Sequence, residues 1–244
     1  GTEEVADHAI ALAMALCRQL FPLDAEAKTL SWNIRIGPKL RRLSTLTFGI
    51  VGLGRIGTAT ALRAKALGFR VIFHDPYLPN GADKAVGITR IRTLDELLAQ
   101  TDVLSLHCPL NSETRHLIAE RELTLLRPGA FVVNTARGAI IKKTAILAAL
   151  REGRLAGAGL DVIEDEPLHS AEEAATPNLI ATCHAAFCSV ESKIEMRSTS
   201  ARIALAAVPM PSAPPPAPAW VTPSSRAGVT GTWPGHDSGT ICTI

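Results

Sequence analysis

The segment GLGRIG at residues 52–57 constrains the fold of this chain most strongly, because it matches the pattern G-x-G-x-x-G in a specific setting. The apolar, strand-like run TFGIV precedes it, and an apolar helix pattern follows it. In that setting Gly52 permits a tight turn, Gly54 lets the backbone approach a pyrophosphate, and Gly57 lets helix and strand pack closely. We therefore predict a dinucleotide-binding turn, in preference to an ordinary glycine turn between a strand and a helix.

Asp75 indicates which dinucleotide this turn would bind. The residue ends the next predicted strand, about 20 residues after the glycines, where a carboxylate accepts hydrogen bonds from both ribose hydroxyls. The next two residues are Pro76 and Tyr77, so no arginine directly follows to bind a 2′-phosphate. The sequence therefore predicts NAD rather than NADP as the cofactor.

Strand and helix patterns alternate along most of the chain. Strands are predicted at 47–51, 70–74, 103–107, 130–134, 157–162 and 179–182, and helices at 3–18, 55–67, 94–100, 120–126, 144–152 and 189–207. Short, continuously apolar strands between helices indicate a parallel sheet that is covered on both faces, and right-handed crossovers make it a doubly wound α/β (Rossmann) fold. We predict one NAD-binding domain over 1–207, followed by a disordered tail over 208–244, where proline and small polar residues dominate.

Composition argues against several other classes of protein. A net charge of +2 with 20% charged residues lacks the dense basic surface of a direct nucleic-acid binder. No apolar run reaches the roughly 18 residues of a membrane helix, and the acidic first turn does not resemble a signal peptide. The five cysteines are scattered without a Cys-x-x-Cys pair, so a reducing, cytoplasmic compartment is expected.

Polar residues at the carboxyl ends of strands are the catalytic candidates, since ligands of doubly wound sheets bind at that edge. Arg137 follows the strand at 130–134 and could bind a carboxylate through two hydrogen bonds. His184 follows the last strand and could serve as the acid–base, and Glu166 could fix its tautomer. Taken alone, these residues are also compatible with a surface arginine, a core histidine and a solvated acidic loop.

Two other assignments compete with this one: a different acid–base residue and a metal site. His107 competes as the acid–base, but no acidic residue adjoins it, so we interpret it as structural or adjacent to the cofactor. Cys183, His184 and Cys188 could be metal ligands, yet their spacing fits no standard zinc pattern and a fourth ligand is missing. We therefore predict no metal site.

Seven segments of the chain resemble the D-isomer-specific 2-hydroxyacid dehydrogenases. They are EEVADHAIALAMAL, GIVGLGRIG, HDPYL, TLDELLAQTDVLSLHCPLNSETRHLI, LRPGAFVVNTARG, ALREGRLAGAGLDVIEDEP and TCHAA, and together they fall within residues 2–207. Within the family, ALRAKALGF, HDPYLPNG and HAAFCSVESKIEMR are most similar to the C-terminal-binding proteins, which are NAD-sensing transcriptional corepressors.

The resemblance implies roles for individual residues. Arg137 would bind the carboxylate and keto oxygen of a small 2-hydroxy or 2-keto acid, and His184 would be the acid–base, with Glu166 as its partner. Asp161 would hold the nicotinamide carboxamide. The resemblance also places Arg55 and Ile56 at the phosphates, and it lines the nicotinamide side with Cys108, Pro109, Thr135 and Ala136. The predicted NAD contacts are completed by Gly52, Gly54, Gly57 and Asp75 of the glycine pattern and by Arg137 and His184.

Three hypotheses follow for the chain as a whole. The first is the cofactor domain of an NAD-dependent dehydrogenase, and the second is an NAD-responsive corepressor scaffold, which would be nuclear. The third is an inactive truncated fragment. Because the sequence begins at the first helix of the cofactor domain, we expect the N-terminal substrate-binding domain to be largely missing. A homodimer is expected through helix 3–18, whose apolar stripe would be exposed without a partner, so that Leu16→Asp would give monomers.

One departure from the family pattern concerns the start of the helix predicted at 144–152. Lys142 and Lys143 replace an acidic pair that resemblance would place before helix 144–152. Thr144 is the residue that we expect to cap this helix in their place.

Overall fold

The structure, a computed structural model, describes residues 1–30, 32 and 40–207. By its internal contacts the chain divides into one unit over Gly1–Ser200 and a second over Ala201–Ile244. The tail predicted to be disordered, 208–244, lies outside the described residues.

The described part of the chain contains a seven-stranded parallel sheet with the order β3-β2-β1-β4-β5-β6-β7. The strands are β1 Thr47–Val51, β2 Arg70–His74, β3 Thr89–Arg90, β4 Val103–Leu106, β5 Ala130–Asn134, β6 Leu155–Leu160 and β7 Leu179–Ala181. The strand order reverses at β1, whose neighbours are β2 and β4. This confirms the predicted doubly wound α/β fold and puts the switch point, where such folds bind ligands, directly after β1.

Helices connect the strands. They are α1 Thr2–Cys17, α2 Leu20–Lys28, α3 Arg55–Ala66, α4 Ala82–Val86, α5 Leu94–Gln100, α6 Glu120–Leu125, α7 Lys143–Arg151, α8 Ala171–Ala174 and α9 Val190–Ala207. The predicted helices and strands are confirmed to within one or two residues at each end. The sequence did not predict α4, β3 or α8, because elements of two to five residues are too short to show a period.

The apolar stripe of α1 is buried within the chain itself, so the prediction that it would be exposed was wrong. Gly157 and Gly159 on β6 let the helix approach the sheet closely: a Cβ at Gly159 would lie 2.9 Å from Leu12 Cβ, and one at Gly157 would lie 2.8 Å from Leu16 Cδ2. The buried residues of the helix are Val5, Ala6, Ala9, Leu12, Ala13, Leu16 and Cys17. Leu16→Asp is therefore expected to unfold the domain rather than to separate subunits.

The N-terminus of α7 is capped from a distant loop. Its N-cap residue, Lys142, makes no side-chain cap, and Glu164 Oε2 instead accepts a hydrogen bond from the Lys143 amide at 3.3 Å. Thr144 does not cap the helix, so that prediction was wrong. Glu164 also contacts His116 Nε2 at 2.6 Å, so one carboxylate ties two loops to the start of this helix.

Candidate active site

The glycine turn after β1 has the shape that a dinucleotide requires. Gly52 has a φ of +88°, and a Cβ there would lie 2.8 Å from the Cys108 amide nitrogen. A Cβ on Gly57 would lie 2.0 Å from the Gly52 carbonyl oxygen, whereas a Cβ on Gly54 would meet no atom within 4 Å. The first and third glycines are thus required by close packing, and the second leaves open space beside the first turn of α3, where a pyrophosphate can approach the amides of Arg55 and Ile56.

Asp75, directly after β2, stabilises this turn. Its Oδ2 accepts a hydrogen bond from the Leu53 amide at 2.9 Å, and its Oδ1 accepts one from the Tyr77 amide at 3.0 Å. Asp75 lines a cavity of about 390 Å³ together with Gly52 and Gly54. A carboxylate oxygen can accept more than one hydrogen bond, so Asp75 still has acceptor capacity for ribose hydroxyls.

A second cavity, of about 720 Å³, brings most of the remaining candidates together. Its lining includes Ile56, Cys108, Pro109, Thr135, Ala136, Arg137, Asp161 and His184. His107, Cys108 and Pro109 line both cavities, so the two adjoin along the carboxyl edge of the sheet. Thr135 is 7% exposed, and its hydroxyl has no hydrogen-bond partner among the described residues. An unpartnered buried hydroxyl in a cavity wall fits a bound polar ligand.

The His184 imidazole and the Glu166 carboxylate are in contact. Nδ1 of the imidazole lies 2.9 Å from Oε2, and the two side chains are 46% and 39% exposed. Because a carboxylate only accepts hydrogen bonds, Nδ1 carries the hydrogen of this contact, and Nε2 is left for acid–base work. Phe187 packs edge-on against the ring, with centroids 6.3 Å apart.

Arg137 lies on the same cavity as His184. It follows β5 by three residues, its side chain is exposed, and Nη1 donates to the neighbouring Ala136 carbonyl at 2.6 Å. Of the three predicted catalytic residues, two therefore line one cavity, and the third, Glu166, contacts His184 from the side of an adjoining cavity of about 410 Å³.

Asp161 lies beneath His184 and is buried. Its carboxylate accepts hydrogen bonds from the Thr182 hydroxyl at 2.6 Å and from the amides of Ala185 and Ala186, both at 2.9 Å. Burial alone would raise the pKa of Asp161, but these hydrogen bonds outweigh it and lower the pKa, so the group is ionised in the folded chain.

Comparison with known proteins places the chain in a family. The family model for the D-isomer specific 2-hydroxyacid dehydrogenase NAD binding domain matches residues 10–186. The chain belongs to this family. Its matched part is the NAD-binding domain, so NAD is the cofactor of this dehydrogenase domain. The predicted family and cofactor are thus confirmed, while the closer similarity to the C-terminal-binding proteins stays a prediction.

Individual members of the family are similar over most of this chain. A glyoxylate reductase of Thermococcus litoralis is 39% identical over 189 residues, which cover 75% of this chain and 57% of the relative. A glyoxylate reductase of Korarchaeum cryptofilum is 38% identical over 199 residues, covering 80% and 60%. The structure of D-lactate dehydrogenase from Aquifex aeolicus, complexed with NAD and lactic acid, has a TM-score of 0.77 at 31% identity and covers 84% of this chain and 66% of that one. The chain thus spans less than two thirds of the length of these proteins.

Two residues of the dehydrogenase domain lie where its two cavities adjoin, and both are held uncharged. Burial lowers the pKa of His107 to about 4, and the His107 Nε2 lies 2.8 Å from the Ser105 hydroxyl. Burial raises the pKa of Cys108 to about 11, so its thiol is a neutral part of the wall rather than a nucleophile. His107 thus lies beside the candidate cofactor site, and among the described residues its side chain pairs with Ser105 rather than with an acidic group.

Sequence reasoning missed two side chains near the candidate NAD site. His8 on α1 reaches Thr182 and Asp161, and Arg90 on β3 donates from Nη2 to the Asp75 carbonyl oxygen. The only local signal for His8 was its place at the border of the apolar stripe of α1. Arg90 gave no signal, because its strand was not predicted.

The alternative metal site finds no support in the part of the chain that the structure describes. No group of three His, Cys, Asp or Glu residues there has a geometry that could hold a metal ion. In the same residues, no helix has the length and hydropathy to span a bilayer.

Proposed function

We propose that this chain reduces a small 2-keto acid with NADH, or oxidises the corresponding 2-hydroxy acid with NAD. The observation that carries the proposal is the 2.9 Å contact between His184 and Glu166, on a cavity that Arg137 also lines and that adjoins the glycine turn. The names of its relatives support this reaction class, since they are a glyoxylate reductase and a D-lactate dehydrogenase bound to NAD and lactic acid.

Each of the three residues has a distinct part in this reaction. The Arg137 guanidinium binds the substrate carboxylate and orients the keto group. Bound NADH supplies the hydride to the carbonyl carbon. His184 donates a proton to the carbonyl oxygen as that oxygen gains charge, which gives the hydroxyl product and leaves a neutral imidazole. Glu166 stabilises the protonated ring before the transfer and keeps Nε2 available.

Cofactor contacts in this proposal follow the two cavities. The amides of Arg55 and Ile56 would bind the pyrophosphate. The Asp75 carboxylate would accept hydrogen bonds from the ribose hydroxyls and repel a 2′-phosphate. Cys108, Pro109, Thr135, Ala136 and Asp161 would border the nicotinamide. The support is that all of these lie on the two cavities or on the helix start between them.

We also propose a homodimer, but through a different surface from the buried stripe of α1. Large apolar side chains are exposed at the start of α2, where Leu20 is 54% and Phe21 57% exposed, and after the end of that helix, where Leu30 is 92% and Trp32 86% exposed. Exposed large apolar side chains of this kind favour association. The partner expected is a second copy of the chain in the cytoplasm. The relatives described above are named as enzymes, so the corepressor scaffold is the weaker hypothesis.

Binding and turnover measurements on the full chain test the proposed function. Calorimetric titration with NADH is followed by addition of glyoxylate, pyruvate or hydroxypyruvate, with oxidation of NADH recorded at steady state. Wild type is expected to bind NADH and reduce at least one of these acids. Arg137→Met is expected to retain NADH binding and raise KM at least about tenfold, because the carboxylate loses its charged partner. Binding of NADH without turnover of any keto acid would contradict the proposal.

A further inference from the structure

A half-buried histidine reaches the candidate active site from the first helix of the chain, and the proposed chemistry does not use it. His8 Nε2 lies 3.0 Å from Thr182 Oγ1 and 3.6 Å from Asp161 Oδ1. The His8 side chain is 27% exposed, and that of Asp161 is 1% exposed. His8 and Thr182 are 174 positions apart, and they meet because α1 packs against the sheet at β5 and β6.

The hydrogen bonds in this group have a definite direction. Thr182 Oγ1 lies 2.6 Å from the ionised Asp161 carboxylate, which can only accept, so the hydroxyl hydrogen points to Asp161. The hydroxyl oxygen is then the acceptor for His8, and His8 Nε2 must carry a hydrogen. His8, Thr182 and Asp161 thus form one chain of donors and acceptors, in which each bond strengthens the next.

Asp161 in turn holds the backbone around His184. Its two carboxylate oxygens accept hydrogen bonds from the amides of Ala185 and Ala186, and its main-chain oxygen accepts one from the amide of His184, each at 2.9 Å. His184 has a φ of +52°, a left-handed conformation that is costly for a residue other than glycine. The surrounding bonds are therefore what keeps His184 in this conformation.

We propose that His8 is a positioning residue for His184. Its hydrogen bond to Thr182 fixes the Asp161 carboxylate, which holds the backbone at 184–186 and so sets where the acid–base imidazole lies. This inference rests on the proposed function, in which His184 transfers the proton. The alternative is that His8 only fills space between α1 and the sheet.

Kinetics of matched variants separate these possibilities. His8→Leu and Thr182→Val each break the chain of hydrogen bonds, and each is expected to lower kcat about tenfold while KM for the keto acid changes by less than about twofold. The double variant is expected to be no worse than Thr182→Val alone, because that change already removes the His8–Thr182 hydrogen bond together with the bond to Asp161. His8→Gln is expected to restore most of kcat, since its amide nitrogen can donate to Thr182.

Asp7→Asn is the matched control, because Asp7 neighbours His8 but faces outward and pairs with Arg63. It is expected to keep the wild-type kcat. If His8→Leu behaves like this control, or if His8→Gln is as impaired as His8→Leu, His8 is not a positioning residue.

Nitrogen-15 spectra of the histidine rings give a readout that does not depend on turnover. Wild type is expected to show His8 protonated at Nε2. The His184 ring signals, identified by their loss in His184→Gln, are expected to shift in His8→Leu and to return in His8→Gln. Unchanged His184 signals in His8→Leu would overturn the proposal. If wild type reduces no keto acid, the proposed function fails, and these spectra alone decide the part played by His8.

Discussion

The glycine turn and the His184 site lie at the same edge of the sheet, yet different forces hold them. The turn is fixed by backbone sterics, since a Cβ on Gly57 would lie 2.0 Å from the Gly52 carbonyl oxygen. The His184 site is held by hydrogen bonds between side chains that are 46% and 39% exposed. The first is continuous in sequence, and the second joins loops after β6 and β7 with a helix from the start of the chain.

This difference implies that the two regions respond differently to substitution. A change at Gly52 or Gly57 must disturb the backbone, so stability and cofactor binding fall together there. A change in the exposed pair removes a chemical group without creating a cavity, so catalysis falls while the fold persists. The predictions below test that separation.

The largest effect is expected at the exposed pair. His184→Gln removes the proton donor and is expected to lower kcat by about 10² to 10⁴. Glu166→Gln keeps a polar partner but loses the charge, so a smaller loss of about tenfold or more is expected. Steady-state kinetics with the best keto acid measure both. NADH affinity and thermal unfolding should stay near wild type, and a large loss of stability in either variant would contradict the separation.

An intermediate effect is expected in the turn, where two glycines offer a matched pair. Gly57→Ala forces a methyl group against the Gly52 carbonyl and is expected to lower the free energy of unfolding by about 3 kcal/mol. Gly54→Ala meets no atom within 4 Å, so it should leave stability nearly unchanged. Its methyl group would occupy the open space beside α3, so NADH affinity is expected to fall about tenfold. Urea unfolding and calorimetry distinguish the two, and equal stability of both variants would refute the steric argument.

The contrast between the continuous glycine turn and the discontinuous His184 site also explains how much could be predicted from the sequence. The strand, the glycines and Asp75 are spaced by local geometry, so their pattern predicted both the fold and NAD. Arg137, Glu166 and His184 were predicted as a possible triad from their places after strands, and the family resemblance favoured that triad over a surface arginine, a core histidine and a solvated loop.

Other contacts depend on the packing of distant elements and left no readable pattern. His8 reaches Thr182 only because Gly157 and Gly159 let α1 lie close to β6. The prediction that the apolar stripe of α1 would be exposed was wrong for the same reason, because periodicity identifies an apolar face but does not reveal what covers it. Likewise, Glu164 rather than Thr144 caps α7, because a carboxylate from another loop can satisfy the helix amide.

The smallest effect is expected at His107, where the two cavities adjoin. Burial lowers its pKa to about 4 from 6.5 in the unfolded chain, so the unfolded state binds more protons between these values. Stability contributed by the neutral ring is therefore present above pH 6.5 and is lost as the pH falls below it. From pH 7.5 to pH 5 the loss is about 2 kcal/mol. His107→Gln should remove this part of the pH dependence in urea unfolding, whereas His169→Gln, at an exposed position, is the control. If both variants reduce the pH dependence of stability equally, burial of His107 is not the cause of that dependence. The His107 position would then respond to substitution as the exposed His184 site does, and not as the closely packed glycine turn does.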